Sequence, residues 1–175
     1  MVKTIEQKYK ELSEQEHVLL RPGMYVGSVK PELSTQFVFD YKEQMMVQKE
    51  VEYVPAILKL IDEIISNSTD EYRRPDNIGL TQISVTVMKD NTIVIEDNGG
   101  IPVVKHKEAG IMVPQLIFGR MRTSSNYNDD EDRSGLGTNG VGSSLTNIFS
   151  SYFGVMTDDG KKRWVGNWKN NMSEF

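Results

Sequence analysis

Residues 55–73, PAILKLIDEIISNSTDEYR, restrict the possible folds more than any other segment of the chain. A proline is favoured in the first turn of a helix, so Pro55 predicts a helix that runs to about Arg73. The apolar residues of this segment recur at the spacing of one helix face: Leu60, Ile61, Ile64 and Ile65. Because a helix cannot bury such a face alone, another layer of structure must cover it.

Alternating apolar residues predict strands in later segments. Two such runs flank the turn KDN at 89–91: Ile83, Val85, Val87 and Ile93, Ile95. A further hairpin is expected over 152–168, with its turn at DDGK, whereas 35–41 and 50–54 are either strands or part of a helix. Helical spacing predicts shorter helices from about Ser13, at 113–121 and at 143–153. This mixed order predicts an α+β fold, a sandwich with helices on one face of a sheet.

Composition excludes several classes of protein. The 175 residues include no cysteine, which excludes disulfides and thiolate chemistry and favours a cytosolic (cytoplasmic) setting. No apolar run approaches the roughly 20 residues of a membrane span, and the N-terminus lacks the apolar block of a signal peptide. The net charge of −5 argues against electrostatic binding of DNA across the whole domain, because such binding needs a clustered positive surface.

The first candidate site lies on the predicted helix at 55–73. Glu63, Asn67 and Asp70 are spaced by four and then three residues, which places them on one stripe beside the apolar face. A carboxylate at the margin of a core can act as a general base, and an amide oxygen can bind a hard cation such as Mg²⁺. A solvated helix flank explains the same residues, and the stripe alone leaves both interpretations open.

The second candidate is IEDNGGIP at 95–102, where Asp97 ends a predicted strand. An aspartate in that position can accept a hydrogen bond from a ligand amine, and glycines let the backbone approach a ligand closely. An ordinary turn is the alternative, because Asp-Asn-Gly is common turn chemistry.

The third candidate is RSGLGTNGVGSSLTN at 133–147, four glycines ahead of an apolar helix. Exposed backbone N–H groups at such a helix start favour phosphate binding. The segment lacks the Gly-Lys-Ser/Thr ending of a P-loop and the βαβ context of a dinucleotide-binding fold. A surface loop with a helix cap remains the alternative.

Ahead of it, RTSSNYNDDED at 122–132 offers serine and asparagine side chains for a sugar hydroxyl or a phosphate. Residues 119–142 together form a polar stretch long enough to close over a ligand.

The order of these segments resembles that of the GHKL ATPases, which include type II topoisomerases, heat-shock chaperones, mismatch-repair proteins and histidine kinases. Further stretches are similar to type II DNA topoisomerases along essentially the whole chain: EHVLLRPGMYVGSV, DEIISNSTDE, VPQLIFGRMRTSSNYNDDED, SGLGTNGVGSSLTNIFS and WKNNMSE. The segment around 113–132 is most similar to eukaryotic members, and its occurrence on a short acidic chain suggests a T-even-type bacteriophage member of the family.

The resemblance implies a GHKL (Bergerat) two-layer sandwich with a mixed, largely antiparallel sheet that is incomplete at the C-terminus. Residues 1–28 would be an N-terminal arm and loop, and residues 29–175 the ATPase domain. The implied activity is ATP binding and hydrolysis with Mg²⁺, in the gate of a DNA topoisomerase whose DNA-cleavage region lies elsewhere. Implied partners are DNA through the full-length enzyme, a second copy on ATP binding and other topoisomerase subunits, with no membrane.

The resemblance also implies residue roles. Glu63 would be the general base, Asn67 the Mg²⁺ ligand and Asp97 the acceptor of the adenine amine. Ribose and phosphates would contact Ser124, Ser125 and Asn126. Backbone N–H groups around the phosphates would come from Gly137, Thr138, Asn139, Gly140, Val141, Gly142 and Ser143. Tyr9 would reach the nucleotide of a partner subunit.

Three departures from the family pattern stand out, the first being that the transducer domain, which in the family supplies a lysine to the γ-phosphate, is expected to be absent from this sequence. The acidic motif is shortened to DNGG, and Ser144 occupies a position where eukaryotic members carry lysine. The rival functions are a GHKL nucleotide-binding module of the chaperone or kinase type, and a fragment that binds ATP without turnover.

Overall fold

The computed structural model describes residues 4, 5, 9, 11–73, 79–123 and 140–175. These residues group into two compact units, Met1–Ala56 and Ile57–Phe175. The division expected from the resemblance, between 1–28 and 29–175, is a different kind of boundary and stays a prediction.

Helix α1, Glu14–Leu20, belongs to the first unit and starts where the sequence predicts it. Ser13 forms a capping box with Glu16: the Glu16 backbone N–H donates to the Ser13 hydroxyl at 3.2 Å, and the Ser13 N–H donates to the Glu16 carboxylate at 2.8 Å. A 3₁₀ turn follows at Pro22–Met24. Val18 of this helix and Val26 after the turn are buried.

A long hairpin completes the first unit. Strand β1, Glu32–Asp40, pairs antiparallel with β2, Met45–Tyr53, in a register that runs from Glu32 opposite Tyr53 to Asp40 opposite Met45. The ambiguous segments 35–41 and 50–54 are therefore strands; each strand begins earlier than the predicted segment and ends one residue before it. Asp40 closes the turn by accepting the backbone N–H groups of Lys42 and Glu43.

Helix α2, Pro55–Arg73, has the bounds that the sequence predicts. It leads into the second unit, which contains two further antiparallel hairpins. The first pairs β3, Ile83–Val87, with β4, Ile93–Asp97, and the second pairs β5, Tyr152–Asp158, with β6, Arg163–Lys169. Both hairpins are confirmed at the predicted places, and the α+β class is confirmed with them.

Two short helices lie between these hairpins along the chain: α3, Val113–Gly119, and α4, Gly142–Ile148. The helix predicted over 143–153 is shorter than expected. Tyr152 and Phe153 pair with Lys169 and Trp168 in the β5–β6 ladder, so the chain must leave the helix before them.

An aromatic cluster positions α3 and α4. Phe153 packs between Phe118 and Trp168, with ring centroids 6.0 Å and 6.1 Å away. Gly119 lies directly on the Trp168 indole, where an added Cβ would come within 3.0 Å of the ring. Leu145 and Ile148 of α4 are buried, and the side-chain amide of Asn147 in the same helix donates to the Phe118 carbonyl at 2.9 Å. Across the described parts of the chain, no helix has the length and apolar character to cross a membrane.

Candidate active site

Helices α2 and α4 meet at a crossing that is held by two side-chain hydrogen bonds. The Thr146 hydroxyl donates to the Leu60 carbonyl at 3.0 Å, and the Asn67 side-chain amide donates to the Ser143 hydroxyl at 3.0 Å. Leu60 and Asn67 lie two turns apart on the same stripe of α2. Glu63 lies between them on that stripe, so the crossing fixes the carboxylate against α4.

Glu63 contacts α4 at Gly142. A Cβ placed on Gly142 would overlap the Glu63 carboxylate and lie 2.8 Å from its Cδ atom. The glycine is therefore required by the close approach of a side chain, not by an unusual backbone angle. The structure brings together two residues that the sequence analysis assigned separately to the base and to the phosphate cradle.

Glu63 also forms an ion pair along its own helix. The Lys59 ammonium lies 2.5 Å from Glu63 Oε1, with the lysine side chain 49% exposed and the glutamate side chain 20% exposed. The hydrogen bond to Glu63 raises the pKa of Lys59 above its usual value. The other carboxylate oxygen faces Gly142, so each oxygen has a different neighbour.

Asn67 is oriented by the bond to Ser143. Because its Nδ2 donates there, Oδ1 is the side-chain oxygen left to accept, and it has no hydrogen bond within the described residues. Asn67 is exposed, whereas Ser143 is buried. A buried hydroxyl thus holds an exposed amide oxygen in one direction, as a ligand for a hard cation requires.

Asp97 ends β4 and accepts two hydrogen bonds. The Ser68 hydroxyl of α2 donates to Oδ2 at 2.6 Å, and the Gly99 backbone N–H donates to Oδ1 at 3.0 Å. Ser68 is 7% exposed. Sequence analysis assigned no role to Ser68. The available signal was its position next to Asn67, at the polar margin of the apolar face of α2.

The rest of the DNGG motif is tied to neighbouring segments. Asn98 Oδ1 accepts the backbone N–H groups of Thr81 and Gln82, both at 2.9 Å. An added Cβ on Gly99 would lie 2.9 Å from a methyl group of Leu80, which is buried. The motif is therefore held by tertiary contacts with residues 80–82 and with Ser68, and it is more than the local turn that its composition suggests.

The segment after this motif is held by β5. The Ile101 N–H donates to the Thr157 hydroxyl at 3.0 Å, and the Val103 N–H donates to Asp159 Oδ2 at 2.9 Å. The N–H groups of Val103, Lys162 and Lys161 lower the pKa of Asp159 below its usual value. Sequence analysis assigned no role to Thr157 or Asp159, since a turn of the DDGK type gives no sign of a distant partner.

Several predicted site residues fall outside the described residues: Ser124, Ser125, Asn126, Gly137, Thr138 and Asn139. Their roles stay predictions. The described residues on either side of this segment are joined, because the Thr123 N–H donates to the Gly140 carbonyl at 3.0 Å. Gly140 has a φ of +60°, in the left-handed region that glycine adopts readily.

The remaining assigned residues are at the start of α4 and in the first unit. Val141 precedes Gly142, and its carbonyl accepts the Ser144 hydroxyl at 2.9 Å. Ser144 is 1% exposed, so the residue at the family's lysine position serves the local packing of the helix. Tyr9 is 71% exposed, and its backbone N–H donates to the Ile5 carbonyl at 2.8 Å.

Comparison with known proteins identifies this arrangement. No protein-family model matches the chain. DNA topoisomerase 2 of Plasmodium falciparum is 44% identical over 181 residues, covering 99% of this chain and 13% of that protein. The Drosophila melanogaster enzyme is 42% identical over 173 residues (98% and 12%), and human DNA topoisomerase 2-beta is 43% identical over 173 residues (97% and 10%). The chain thus spans a small part of the length of these relatives, which are eukaryotic.

Solved structures agree. The ATPase region of Saccharomyces cerevisiae topoisomerase II has a TM-score of 0.89 at 39% identity, covering 95% of this chain and 45% of that one. The ATPase and transducer domains of Balamuthia mandrillaris DNA topoisomerase II have a TM-score of 0.92 at 42% identity, covering 98% and 44%. The sequence and the fold of this chain are therefore those of the ATPase region of type II DNA topoisomerases, within the GHKL class of folds.

Proposed function

We propose that this chain binds and hydrolyses ATP as the N-terminal gate segment of a type II DNA topoisomerase. The observation that carries the proposal is the α2–α4 crossing, where Glu63 fits against Gly142 and Asn67 is bonded to Ser143. Hydrolysis of the terminal phosphoanhydride of ATP needs a positioned carboxylate, an oriented amide oxygen and a glycine-lined helix start in one place.

Glu63 is the general base in this proposal. Its carboxylate would accept the proton of the water that attacks the terminal phosphate. Packing against Gly142 restricts where the carboxylate can lie, and a misplacement of about 1 Å in such a group costs about a hundredfold in rate. The Lys59 ammonium holds the other oxygen, which leaves Glu63 little freedom to rotate.

Asn67 would hold Mg²⁺, whose charge neutralises the phosphates when it is bound. The donor set fits this ion, because Asn67 Oδ1 is an exposed hard oxygen held in direction by Ser143. No cluster of three or more His, Cys, Asp or Glu side chains occurs in the parts of the chain that the structure describes. That suits Mg²⁺, which is usually bound by one or two protein groups together with substrate phosphates.

The remaining contacts complete a nucleotide site. Asp97 would accept the adenine amine, and the backbone N–H groups of 137–143 would surround the phosphates. Ser124, Ser125 and Asn126 would contact ribose and phosphate, and Tyr9 would contact the nucleotide of a partner subunit. Support for these roles is the family similarity and, for Asp97, its fixed place at the end of β4.

ATP binding would dimerise two such segments and close a gate around a DNA segment. Nucleotide contacts made only in the closed state would shift the population towards it, and hydrolysis would reset it. DNA and other topoisomerase subunits would be bound through the full-length enzyme.

The finer source assignment is to the large subunit of a T-even-type bacteriophage topoisomerase acting in the host cytoplasm, and its support is a eukaryotic-like segment at 113–132 on an acidic chain. Purification of the full-length protein tests it. A large subunit would require a second polypeptide for DNA cleavage, whereas a single-chain enzyme would cleave DNA alone.

The test of the ATPase proposal is Mg·ATP binding and turnover, measured for this chain and for the full-length protein. Glu63→Gln should retain ATP binding and reduce turnover by about a hundredfold or more. Asp62→Asn is the matched control, since Asp62 is the neighbouring carboxylate on the exposed side of α2, and it should leave both unchanged.

The possible results separate the rival functions. Absence of ATP binding in the wild-type protein would overturn the proposal. Binding without turnover in the full-length protein would reduce it to a nucleotide-binding module. Equal turnover in Glu63→Gln and wild type would remove Glu63 from the role of base.

A further inference from the structure

We propose that Ser68 is a positioning residue for base recognition: its hydroxyl fixes the Asp97 carboxylate so that the site selects a purine with an exocyclic amine over one with a carbonyl. This inference rests on the proposed function, since it requires that Asp97 faces a bound nucleotide base. No role has been assigned above to Ser68 in binding or hydrolysis.

The geometry fixes the carboxylate of Asp97 through both of its oxygens. Oδ2 accepts the Ser68 hydroxyl at 2.6 Å, and Oδ1 accepts the Gly99 N–H at 3.0 Å. A hydroxyl-to-carboxylate bond of this length is in the range of strong, charge-assisted hydrogen bonds. With one donor on each oxygen, rotation of the carboxylate about its Cβ–Cγ bond breaks at least one hydrogen bond.

The two donors differ in origin. Gly99 is two residues from Asp97 in the same motif, so its N–H is a local donor and does not connect the carboxylate to another element of the fold. Ser68 lies on α2, the helix that carries Glu63 and Asn67, and it is buried. The Ser68 hydroxyl therefore fixes the base-recognising group relative to the helix that carries the proposed hydrolytic residues.

The direction of these bonds determines selectivity. An ionised carboxylate accepts hydrogen bonds and does not donate them. The remaining lone pairs of Asp97 can accept the exocyclic amine of adenine. The exocyclic carbonyl of guanine would place two acceptors against each other, which is a cost that grows when the carboxylate cannot turn away.

The experiment measures the affinity of the wild-type protein, Ser68→Ala and Thr69→Ala for Mg·ATP and Mg·GTP by calorimetry. Ser68→Ala should raise the Kd for ATP about tenfold and change the Kd for GTP little, so that the ratio between the two nucleotides falls. Thr69→Ala is the matched control, because the Thr69 hydroxyl donates to the Ile65 carbonyl within α2 at 3.0 Å. It should keep the wild-type ratio.

Two further measurements separate positioning from simple loss of structure. Turnover should show a raised KM for ATP with little change in kcat, since the base is remote from the reacting phosphate. Ser68→Cys retains a weak donor of similar shape and should give an intermediate ratio.

The outcomes are distinct. If the wild-type protein binds neither nucleotide, the proposed function itself is overturned, and this inference with it. If the wild type binds ATP but Ser68→Ala weakens ATP and GTP equally, or matches Thr69→Ala, the role of Ser68 is overturned while the proposed function stands.

Discussion

Near the middle of α2, Glu63 contacts α4 at a glycine, whereas five residues further on the buried Ser68 hydroxyl donates a hydrogen bond to Asp97. The first contact is steric: it exists because Gly142 has no side chain, and any added atom would displace the carboxylate. The second is directional: it exists because the buried Ser68 hydroxyl donates a hydrogen bond to the Asp97 carboxylate at 2.6 Å.

The difference indicates what each part of the site must control. A proton-accepting carboxylate must lie at the correct distance from the reacting phosphate, and close packing controls distance. A base-recognising carboxylate must present its lone pairs in the correct direction, and hydrogen bonds control direction. Disturbing the steric contact should therefore reduce turnover, and disturbing the directional contact should change selectivity.

The largest effect is expected at the steric contact. Gly142→Ala should lower kcat by about a hundredfold, because the new Cβ overlaps the Glu63 carboxylate and moves it away from its position. Steady-state turnover with Mg·ATP measures this. ATP affinity should change much less, because alanine keeps the backbone N–H that residue 142 would offer the phosphates and because Glu63 acts on the water.

Gly23→Ala is the matched control for that substitution. An added Cβ at Gly23 meets nothing within 4 Å, so turnover should stay at the wild-type level. Undiminished turnover in Gly142→Ala would mean that the close approach to Glu63 has no part in catalysis.

A second, smaller effect is expected at the bond that orients Asn67. Ser143→Ala removes the acceptor of the Asn67 amide, so the amide oxygen loses its fixed direction. We expect the Mg²⁺ concentration for half-maximal turnover to rise about tenfold, as is typical when a group that orients a metal ligand is lost. Titration of turnover with Mg²⁺ at constant free ATP measures this concentration.

An unchanged Mg²⁺ requirement in Ser143→Ala would mean that Asn67 is oriented in some other way. A lowered ATP affinity alone would assign Ser143 to a phosphate contact.

The smallest effect is expected at the ion pair on the surface side of Glu63. Lys59→Met should lower the free energy of unfolding by about 0.3–0.5 kcal/mol, the usual worth of an exposed pair along a helix. Because the folded state raises the pKa of Lys59 above 10.5, this contribution is fully present below pH 10.5 and is lost as the pH rises through the folded value. Thermal unfolding of both proteins across the alkaline range measures it.

Lys107→Met controls for the loss of one exposed lysine, since Lys107 forms no ion pair with the residues that the structure describes. Its difference from wild type should show no change near pH 10.5. If the two variants behave alike, the pair between Lys59 and Glu63 contributes nothing measurable to stability.

Individual elements show how far sequence patterns reach. Helix α2 has its predicted bounds because proline at its start and a periodic apolar face are local signals. The hairpin β3–β4 was likewise predictable from alternation around a turn. The end of α4 was predicted five residues too late, since the competing demand came from β6, a strand further along the chain.

The site divides in the same way. Spacing on α2 placed Glu63 and Asn67 on one stripe, and glycines ahead of α4 suggested a phosphate cradle. Nothing local indicated that Gly142 would lie against Glu63, or that Ser68 would bond to Asp97 and Asp159 to Val103. Each of these contacts joins residues far apart in the chain, and their side chains carry no periodic signal.

The sequence by itself determined the class of fold, the helix that carries the acidic and amide residues, and the family that the chain resembles. These depend on periodicity, turn chemistry and ordered motifs, all of which are properties of short segments. Only the tertiary structure decided which of those residues share a site and which direction each faces. Packing and hydrogen bonds between distant segments settle both, because side chains such as Glu63 and Asp97 acquire fixed positions only from neighbours that the fold supplies.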